Sequence, residues 1–370
     1  MLYLFALIAI ITLALVFFAQ YFSFHVMAEL FGITGRGYFN FFSAVSIFLP
    51  LIFILASFLI QRFNNIFVRL IYLITATWFG LVLYLFLASL LAYTILFLTR
   101  LFSFNLNGKL LGIEILVTAV VIVIYGIFAA QNIKIKELNL TLPNLPAAWQ
   151  GKTAVYISDL HLGVIDNFRF AERIAERIND LHPDLLFIGG DFFDGQKNVD
   201  LDALAQIFGA IETPNGKFFV TGNHEQFGDD TAFINTVTNA GITNLNNQLI
   251  NLNGLQIVGV DYRTAYSKND FAAVLKKLEI NKNQPSILLR HVPDKISVAE
   301  QAGISLMLSG HAHKGQLSPI QLIEILFYDG FQYGLKNSGA TNVYTSSGAG
   351  TWGPPMRILA DPEIVKIKFK

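Results

Sequence analysis

Cysteine is absent from the 370 residues. That excludes disulfides and thiolate metal ligands, and says nothing about compartment. Net charge is absent too: 26 basic residues balance 26 acidic ones, so no surface for nucleic acid is indicated. Charge of either sign is scarce early in the chain. Residues 1–130 contain no Asp, and their charged side chains are Glu29, Arg36, Arg62, Arg69, Arg100, Lys109 and Glu114 alone. The chain is therefore two bodies suited to different solvents, and the remaining residues, about 240 of them, are enough to bury a full core as one domain. Histidine is sparse as well, seven in all, which makes the placement of each one informative.

The charge-poor part is built of long apolar runs. A spanning helix needs roughly 20 mostly apolar residues, and four stretches qualify, at about 2–20, 41–61, 70–99 and 111–130. The third carries no charge from Leu70 to Thr99. It is too short for two spans and a turn, so it predicts one long helix that tilts or projects beyond the bilayer. The first stretch lacks a basic start and a small-residue cleavage site, and more spans follow it. It reads as a retained anchor. Four spans put both termini on one side, together with Arg62, Arg69, Lys134 and Lys136, against Arg36, Arg100 and Lys109 opposite. This slight positive-inside bias predicts a cytoplasmic catalytic domain. Glu114 is the one acid inside an expected span. It is either a proton or ion site or an interfacial residue little more than a turn from Lys109, and the second reading is preferred. His25 is expected in a surface loop. No repeat, broken helix or charged pathway argues for transport, so the expected role of residues 1–130 is anchoring.

Residues 131–150 form a junction, alternating like strands over residues 133–136 and 138–142 before Pro143 and Pro146. From residue 151 to 370, short apolar runs alternate with amphipathic segments. Strands are expected at residues 153–158, 185–189, 217–221, 255–260, 286–289 and 305–309. Helices are expected at residues 167–181, 201–211, 231–240 and 270–278. Residues 342–346 and 363–368 are expected as edge strands. Such alternation predicts an α/β layered fold with ligands at strand ends.

Five short blocks follow expected strands: Asp159-Leu160-His161, Gly190-Asp191 with Asp194, Gly222-Asn223-His224-Glu225, His291, and Gly310-His311-Ala312-His313. Five of the seven histidines fall in them. In extended chain, Asp159 and His161 would share one face and could take one cation. Asp191 follows two glycines, which permit close approach of backbone to a ligand. Asn223 offers an amide oxygen, and His291, His311 and His313 offer imidazoles. Mixed nitrogen and oxygen donors without sulfur suit Mn, Fe, Zn or Co. Seven donors are too many for one ion and adequate for two divalent ions sharing a carboxylate. Two such ions can activate a bridging water and stabilise both attacking and departing oxygens of a phosphate.

The order D-x-H, G-D-x-x-D, G-N-H-E, H, G-H-x-H over residues 150–320 resembles the calcineurin-like metallophosphoesterase superfamily. The tail from Ser346-Ser347-Gly348-Ala349-Gly350 to Pro354-Pro355-Met356-Arg357 resembles its bacterial membrane-associated branch. The resemblance implies a four-layer α/β/β/α sandwich, here preceded by an all-α bundle of transmembrane helices. It implies that Asp159, His161, Asp191 and His313 hold a first metal, and that Asp191, Asn223, His291 and His311 hold a second. It implies that His224 acts as general acid or charge stabiliser, and that Asp194 and Glu225 orient ligands. Ala312 and Lys314 depart from the branch's usual last block. Lys314 either meets a substrate phosphate or faces solvent. Asp261 is assigned no metal, because Tyr262 follows it where the branch often has a second Asp. His182, outside the blocks, is read as structural. Arg169, Arg173 and Arg177 share one helix face, which is either solvated or set against lipid headgroups; the solvated face is preferred.

The expectation is thus a multi-pass protein of the bacterial inner membrane. Its activity would be a phosphodiesterase or pyrophosphatase reaction in which hydroxide bridging the two metals attacks phosphorus. Spans beside the active site suggest a lipid-linked phosphate substrate such as UDP-diacylglucosamine. The competing reading is a membrane sensor or scaffold with a vestigial metal domain. Retention of both His224 and Asp191 argues against it. The sequence carries no signal for an oligomeric state.

Overall fold

The computed structural model describes all residues except Met1, Phe104 and Lys197, with backbone alone for residues 2–10. Four helices open the chain: α1 (Leu2–Phe31), α2 (Arg36–Ile60), α3 (Ile66–Phe102) and α4 (Gly108–Gln131). Runs rich in Leu, Ile, Phe and Ala form helix here, with one proline, Pro50, inside α2, and a helix satisfies nearly all of its own backbone polar groups, as lipid requires. Among the described residues these four are the helices long and apolar enough to cross a membrane. As expected, the third stretch is one helix of 37 residues, about 55 Å long at 1.5 Å per residue. Asn65 caps it, its side chain accepting from Val68 N at 3.0 Å. Trp78 Nε1 donates to Gln20 Oε1 at 2.9 Å, tying α3 to α1, and Arg100 pairs with Glu29 near the ends of the same helices. Glu114 is exposed in the second turn of α4. The loop expected around His25 is not there. Apolar sequence continues past residue 20, α1 runs on to Phe31, and His25 lies within it, stacked on Tyr21 at 6.3 Å.

The chain divides into two compact units, residues 1–128 with 353–356, and residues 129–352 with 357–370. In chain order the second unit contains β1 (Lys134–Leu140), β2 (Thr153–Ile157), α5 (Phe168–Asn179), β3 (Leu185–Ile188), α6 (Leu201–Gly209), β4 (Lys217–Phe219), α7 (Asn223–Gln226), α8 (Thr231–Asn239), β5 (Thr243–Asn244) and β6 (Gln248–Leu252). There follow β7 (Leu255–Val260), α9 (Lys268–Lys277), β8 (Ser286–Arg290), α10 (Ile296–Ala302), β9 (Leu306–Ser309), α11 (Gln321–Phe327), β10 (Gly334–Ser338), β11 (Thr341–Thr345) and β12 (Glu363–Phe369).

Two six-stranded sheets result, ordered β1-β12-β2-β3-β4-β5 and β10-β11-β9-β8-β7-β6. Alternation along each strand sends side chains to both faces, and both faces are apolar, as strands covered on two sides demand. Tyr156, Phe187 and Phe218 of the first sheet pack with Ile257, Leu289 and Leu308 of the second in one buried cluster. On the outer face of the first sheet, Val155, Ile157 and Ile188 pack against Ile174, Phe208 and Phe233 of α5, α6 and α8. On the outer face of the second, Val258, Leu288 and Met307 pack against Phe271, Leu275 and Ala299 of α9 and α10. This is the α/β/β/α sandwich.

Two expectations need correcting. Residues 342–346 and 363–368 are not edge strands. β11 lies between β10 and β9, and β12 lies between β1 and β2. The junction strand β1 joins the sheet outside β12, parallel to it, with Leu138 opposite Ile367. Gly334–Ser338, absent from the expected strands, forms the outer partner of β11. The arginine row of α5 is exposed, as expected, and two of its members also make hydrogen bonds. Arg173 donates to Gln131 Oε1 at 2.8 Å and Arg177 to the Ile133 carbonyl at 2.7 Å, so two of the three grip the chain just before β1.

Candidate metal centre

The five blocks converge because β2, β3 and β4 run parallel in one sheet, and β8 and β9 run parallel in the other. Each block begins within a few residues of its strand's carboxyl end, the place where α/β sheets collect ligands. The local backbone is not the extended chain expected for Asp159 and His161. Their φ values are +53° and +48°, and Asp191, His311 and His313 are also left-handed, at +48°, +69° and +49°. Such residues cost of order 1–3 kcal/mol each and persist where the surroundings over-determine them. Here Asp159 N donates to the Gly190 carbonyl at 3.0 Å and His161 N to the Asp191 carbonyl at 3.0 Å. Two loops that hold each other this way turn their side chains inward.

Two glycines make room for the carboxylates. A Cβ on Gly310 would stand 2.2 Å from Asp159 Oδ2, and one on Gly222 would stand 2.2 Å from Asp191 Oδ1. The glycine opening each of these blocks is therefore required by close approach.

Three clusters of donor atoms result: Asp159, His161 and His313; Asp191, His291 and His311; and His161, Asp194 and His224. In the first, His161 Nε2 is 3.1 Å from His313 Nε2, and His313 Nε2 is 3.5 Å from Asp159 Oδ1. In the second, His291 Nε2 is 3.1 Å from Asp191 Oδ2, 3.2 Å from Asn223 Oδ1 and 3.2 Å from His311 Nδ1. Asp191 Oδ2 also lies 4.0 Å from His161 Nε2, so this carboxylate stands between the two clusters. In the third, His224 Nδ1 is 3.1 Å from Asp194 Oδ1.

The surroundings orient these groups. Glu225 accepts from the backbone N–H of Gly222 at 2.7 Å, Phe193 at 2.8 Å and Asp191 at 3.1 Å, clamping two blocks together. Gln196 donates to Asp194 Oδ2 at 2.8 Å. His291 Nδ1 faces the Gly189 carbonyl at 2.9 Å, which leaves Nε2 facing inward. Lys314 places its ammonium 4.4 Å over the Tyr333 ring. Asp261 binds Asn247 and Thr264 and is in none of the three clusters.

Electrostatics follow from burial and proximity. Burial opposes ionisation of Asp191, but the charge and hydrogen bond of His291, with His224 and His161 beyond, hold its carboxyl well below the usual range. Burial likewise opposes a charged His224. The Asp194 hydrogen bond and the charges of Asp191, Asp194 and Glu225 outweigh it and raise the imidazole to about 9. Burial, then the neighbouring His291, lowers His311 to about 3. Burial, then His161 and Arg357, pushes His313 down as well. Neutral imidazoles offer lone pairs, and buried Asp159 Oδ2 has no hydrogen-bond partner among the described residues. Orphaned acceptors, neutral imidazoles and paired carboxylates in one buried place fit divalent metal.

Arg357, at the end of the tail motif, carries no expected role from sequence. It is fully buried, donating to the carbonyls of Ser347, Gly350 and Ala360 and facing His313 Nδ1 at 3.2 Å. An arginine behind two prolines gives no sign of burial by itself. The exposed rings of Phe227 and Trp352 were missed too. They flank His224 at 5.2 and 6.0 Å.

Residues 153–315 match the family model described as calcineurin-like phosphoesterase. An uncharacterized metallophosphoesterase of Helicobacter pylori is 34% identical over 243 residues, 64% of each chain. The present chain thus spans about two thirds of that relative's length. An uncharacterized metallophosphoesterase of Campylobacter jejuni is 30% identical over 276 residues, 72% of each chain. A transmembrane protein with metallophosphoesterase domain from Danio rerio is 30% identical over 270 residues, covering 69% of this chain and 62% of that one. The chain belongs to the calcineurin-like metallophosphoesterase family, with apolar helices of membrane-spanning length ahead of the phosphoesterase domain.

Proposed function

We propose that this protein is a membrane-anchored phosphohydrolase with two divalent metal sites, acting as a phosphodiesterase or pyrophosphatase. The observation that carries the reading is the position of Asp191, one carboxylate between two clusters of imidazole and carboxylate donors. Asp159, His161, Asp191 and His313 would hold one metal, and Asp191, Asn223, His291 and His311 the other. Bound there, Mn, Fe, Zn or Co supplies Lewis acidity toward phosphate and lowers the pKa of coordinated water.

The chain's own residues supply the rest. Nδ1–H of His224 donates to Asp194, so the transferable proton is the one on Nε2, and the raised imidazole keeps it there at neutral pH. That suits protonation of a departing alkoxide or phosphate oxygen. Glu225 fixes Asp191 and Gly222 in register, so the carboxylate and the acid move as one body.

Residues 1–130 serve as anchor, and residues 131–370 carry the chemistry. The spans favour a substrate that is itself in the membrane, a lipid-linked phosphate of the UDP-diacylglucosamine type. Bacterial relatives and the basic residues at 62, 69, 134 and 136 favour an inner-membrane protein with a cytoplasmic phosphoesterase domain. The test is metal content and bis(p-nitrophenyl) phosphate hydrolysis on detergent-purified protein. Two metals per chain are expected in the parent. His224→Ala should keep them and lose about 10²- to 10⁴-fold in rate, while Asp191→Asn should lose metal and turnover together. An unchanged rate in His224→Ala, or no metal in the parent, would overturn the reading.

A further inference from the structure

The segment that follows the last metal-capable histidine carries the most exposed apolar surface of the second unit. Leu322, Ile323, Leu326 and Phe327 of α11 are 61%, 55%, 80% and 77% exposed, Ile325 is also exposed, and α11 has no buried residue. A short helix that turns Gln321 and Glu324 inward and its apolar side chains outward gains nothing from water on that side, and an exposed apolar patch of this kind marks a place where another apolar phase belongs. Glu324 is the one charged side chain in α11. It is turned inward, bonded to the backbone of Gly315 rather than spread among its apolar neighbours.

Both ends of the helix abut the centre. At its start, Gly315 lies so close to Gln321 N that an added Cβ would stand 2.4 Å away, and Gly315 closes the turn that begins at His313. At its end the Tyr328 ring stands edge-on to His311 at 6.3 Å. What covers such a face is indicated by the rest of the chain. Four membrane-length helices precede the unit, and only Asn132 and Ile133 separate the last residue of α4 from the first of β1. Five large apolar side chains turned outward, with Gln321 and Glu324 turned in and tyrosine at the margin, are the composition of an element that lies in the headgroup–acyl boundary.

We propose that α11 docks into the surface of the bilayer that anchors the chain, setting the mouth of the metal centre against lipid. The absence of cysteine allows a clean test. Single variants Leu326→Cys, Phe327→Cys and, on the exposed face of α9, Lys277→Cys are made in the full chain. Each is labelled with the fluorophore NBD and reconstituted in phosphatidylethanolamine–phosphatidylglycerol vesicles with and without doxyl-labelled lipid. The expected result is blue-shifted emission at 326 and 327, with quenching by doxyl lipid several-fold greater than at 277. Water-like emission at 326 and 327 overturns the proposal, as does quenching equal to that at 277. A blue shift that follows protein density without lipid quenching assigns the face to a second copy and overturns it too. So does a shift that appears only when a lipid-linked phosphate ester is added, which would assign it to a substrate tail. The experiment reads lipid contact and not turnover, so its failure leaves the proposed chemistry untouched.

Discussion

Single atoms decide this centre. The glycines at 222 and 310 leave space that a methyl group would take from Asp191 and Asp159 respectively. If the proposed ligand sets hold, the two substitutions differ in outcome. Gly310→Ala should displace Asp159 and lower metal content toward one ion per chain. Gly222→Ala should displace the shared Asp191 and lose both, with turnover, as read by elemental analysis of purified protein. Arg357 poses a different problem, because its planar fork serves three carbonyls and one imidazole at once. A lysine has one donor point and cannot reproduce that geometry. Arg357→Lys should orphan buried carbonyls at about 1–3 kcal/mol each, lower the thermal midpoint and loosen His313. A midpoint equal to the parent's would remove Arg357 from the support of the site.

At the scale of elements, the strand at the junction has the largest consequence. Residues 131–150 alternate like strands in the sequence, and they supply β1, which pairs with β12 along its whole length, while Leu138, Leu140, Leu142 and Trp149 are buried with the central cluster. A fragment of residues 132–370, kept in mild detergent to cover the exposed face of α11, should be folded and active on bis(p-nitrophenyl) phosphate. A fragment beginning at residue 151 should expose one edge of β12 and part of the inter-sheet core, and should aggregate or melt at lower temperature. Equal melting of the two fragments would show that β1 contributes nothing to the sheet's stability. The arginines of α5 bear on the same element. Arg173 and Arg177 bond to residues 131 and 133, so they hold the chain where it enters the sheet.

For the molecule as a whole, the two units present different surfaces to their surroundings: one is helical and almost without charge, the other is a charged α/β sandwich. Sidedness is a property of the whole chain, and the basic residues at its expected cytoplasmic side predict it. If the proposed inner-membrane location holds, externally added protease should reach the phosphoesterase domain in inverted membrane vesicles and not in right-side-out ones. The reverse pattern would place the domain outside and redirect the search for its substrate.

The residue types, their order and their positions after apolar runs were all legible in the sequence. Local periodicity sets whether a segment is helix or strand, and a loop after a parallel strand must lie at the sheet's carboxyl edge. The apolar spans were legible for a similar reason, since length and composition alone set what lipid will accept. Which strand lies at an edge was not legible, because β11 and β12 owe their central places to Gly334–Ser338 and Lys134–Leu140, segments distant in sequence or weak in pattern. The left-handed turns at Asp159, His161 and Asp191 were hidden for the same cause. Extended backbone is the local preference of a strand end, and only hydrogen bonds between two separate loops hold these residues away from it. Arg357 completes the contrast: its neighbours in sequence describe a turn, and only the folded chain brings three carbonyls and His313 around its guanidinium. The chemistry available to this protein was thus readable from residue order, because donor identity is a local property. The tertiary structure decided which donors meet, because convergence depends on contacts between residues more than 150 positions apart, as between His161 and His313.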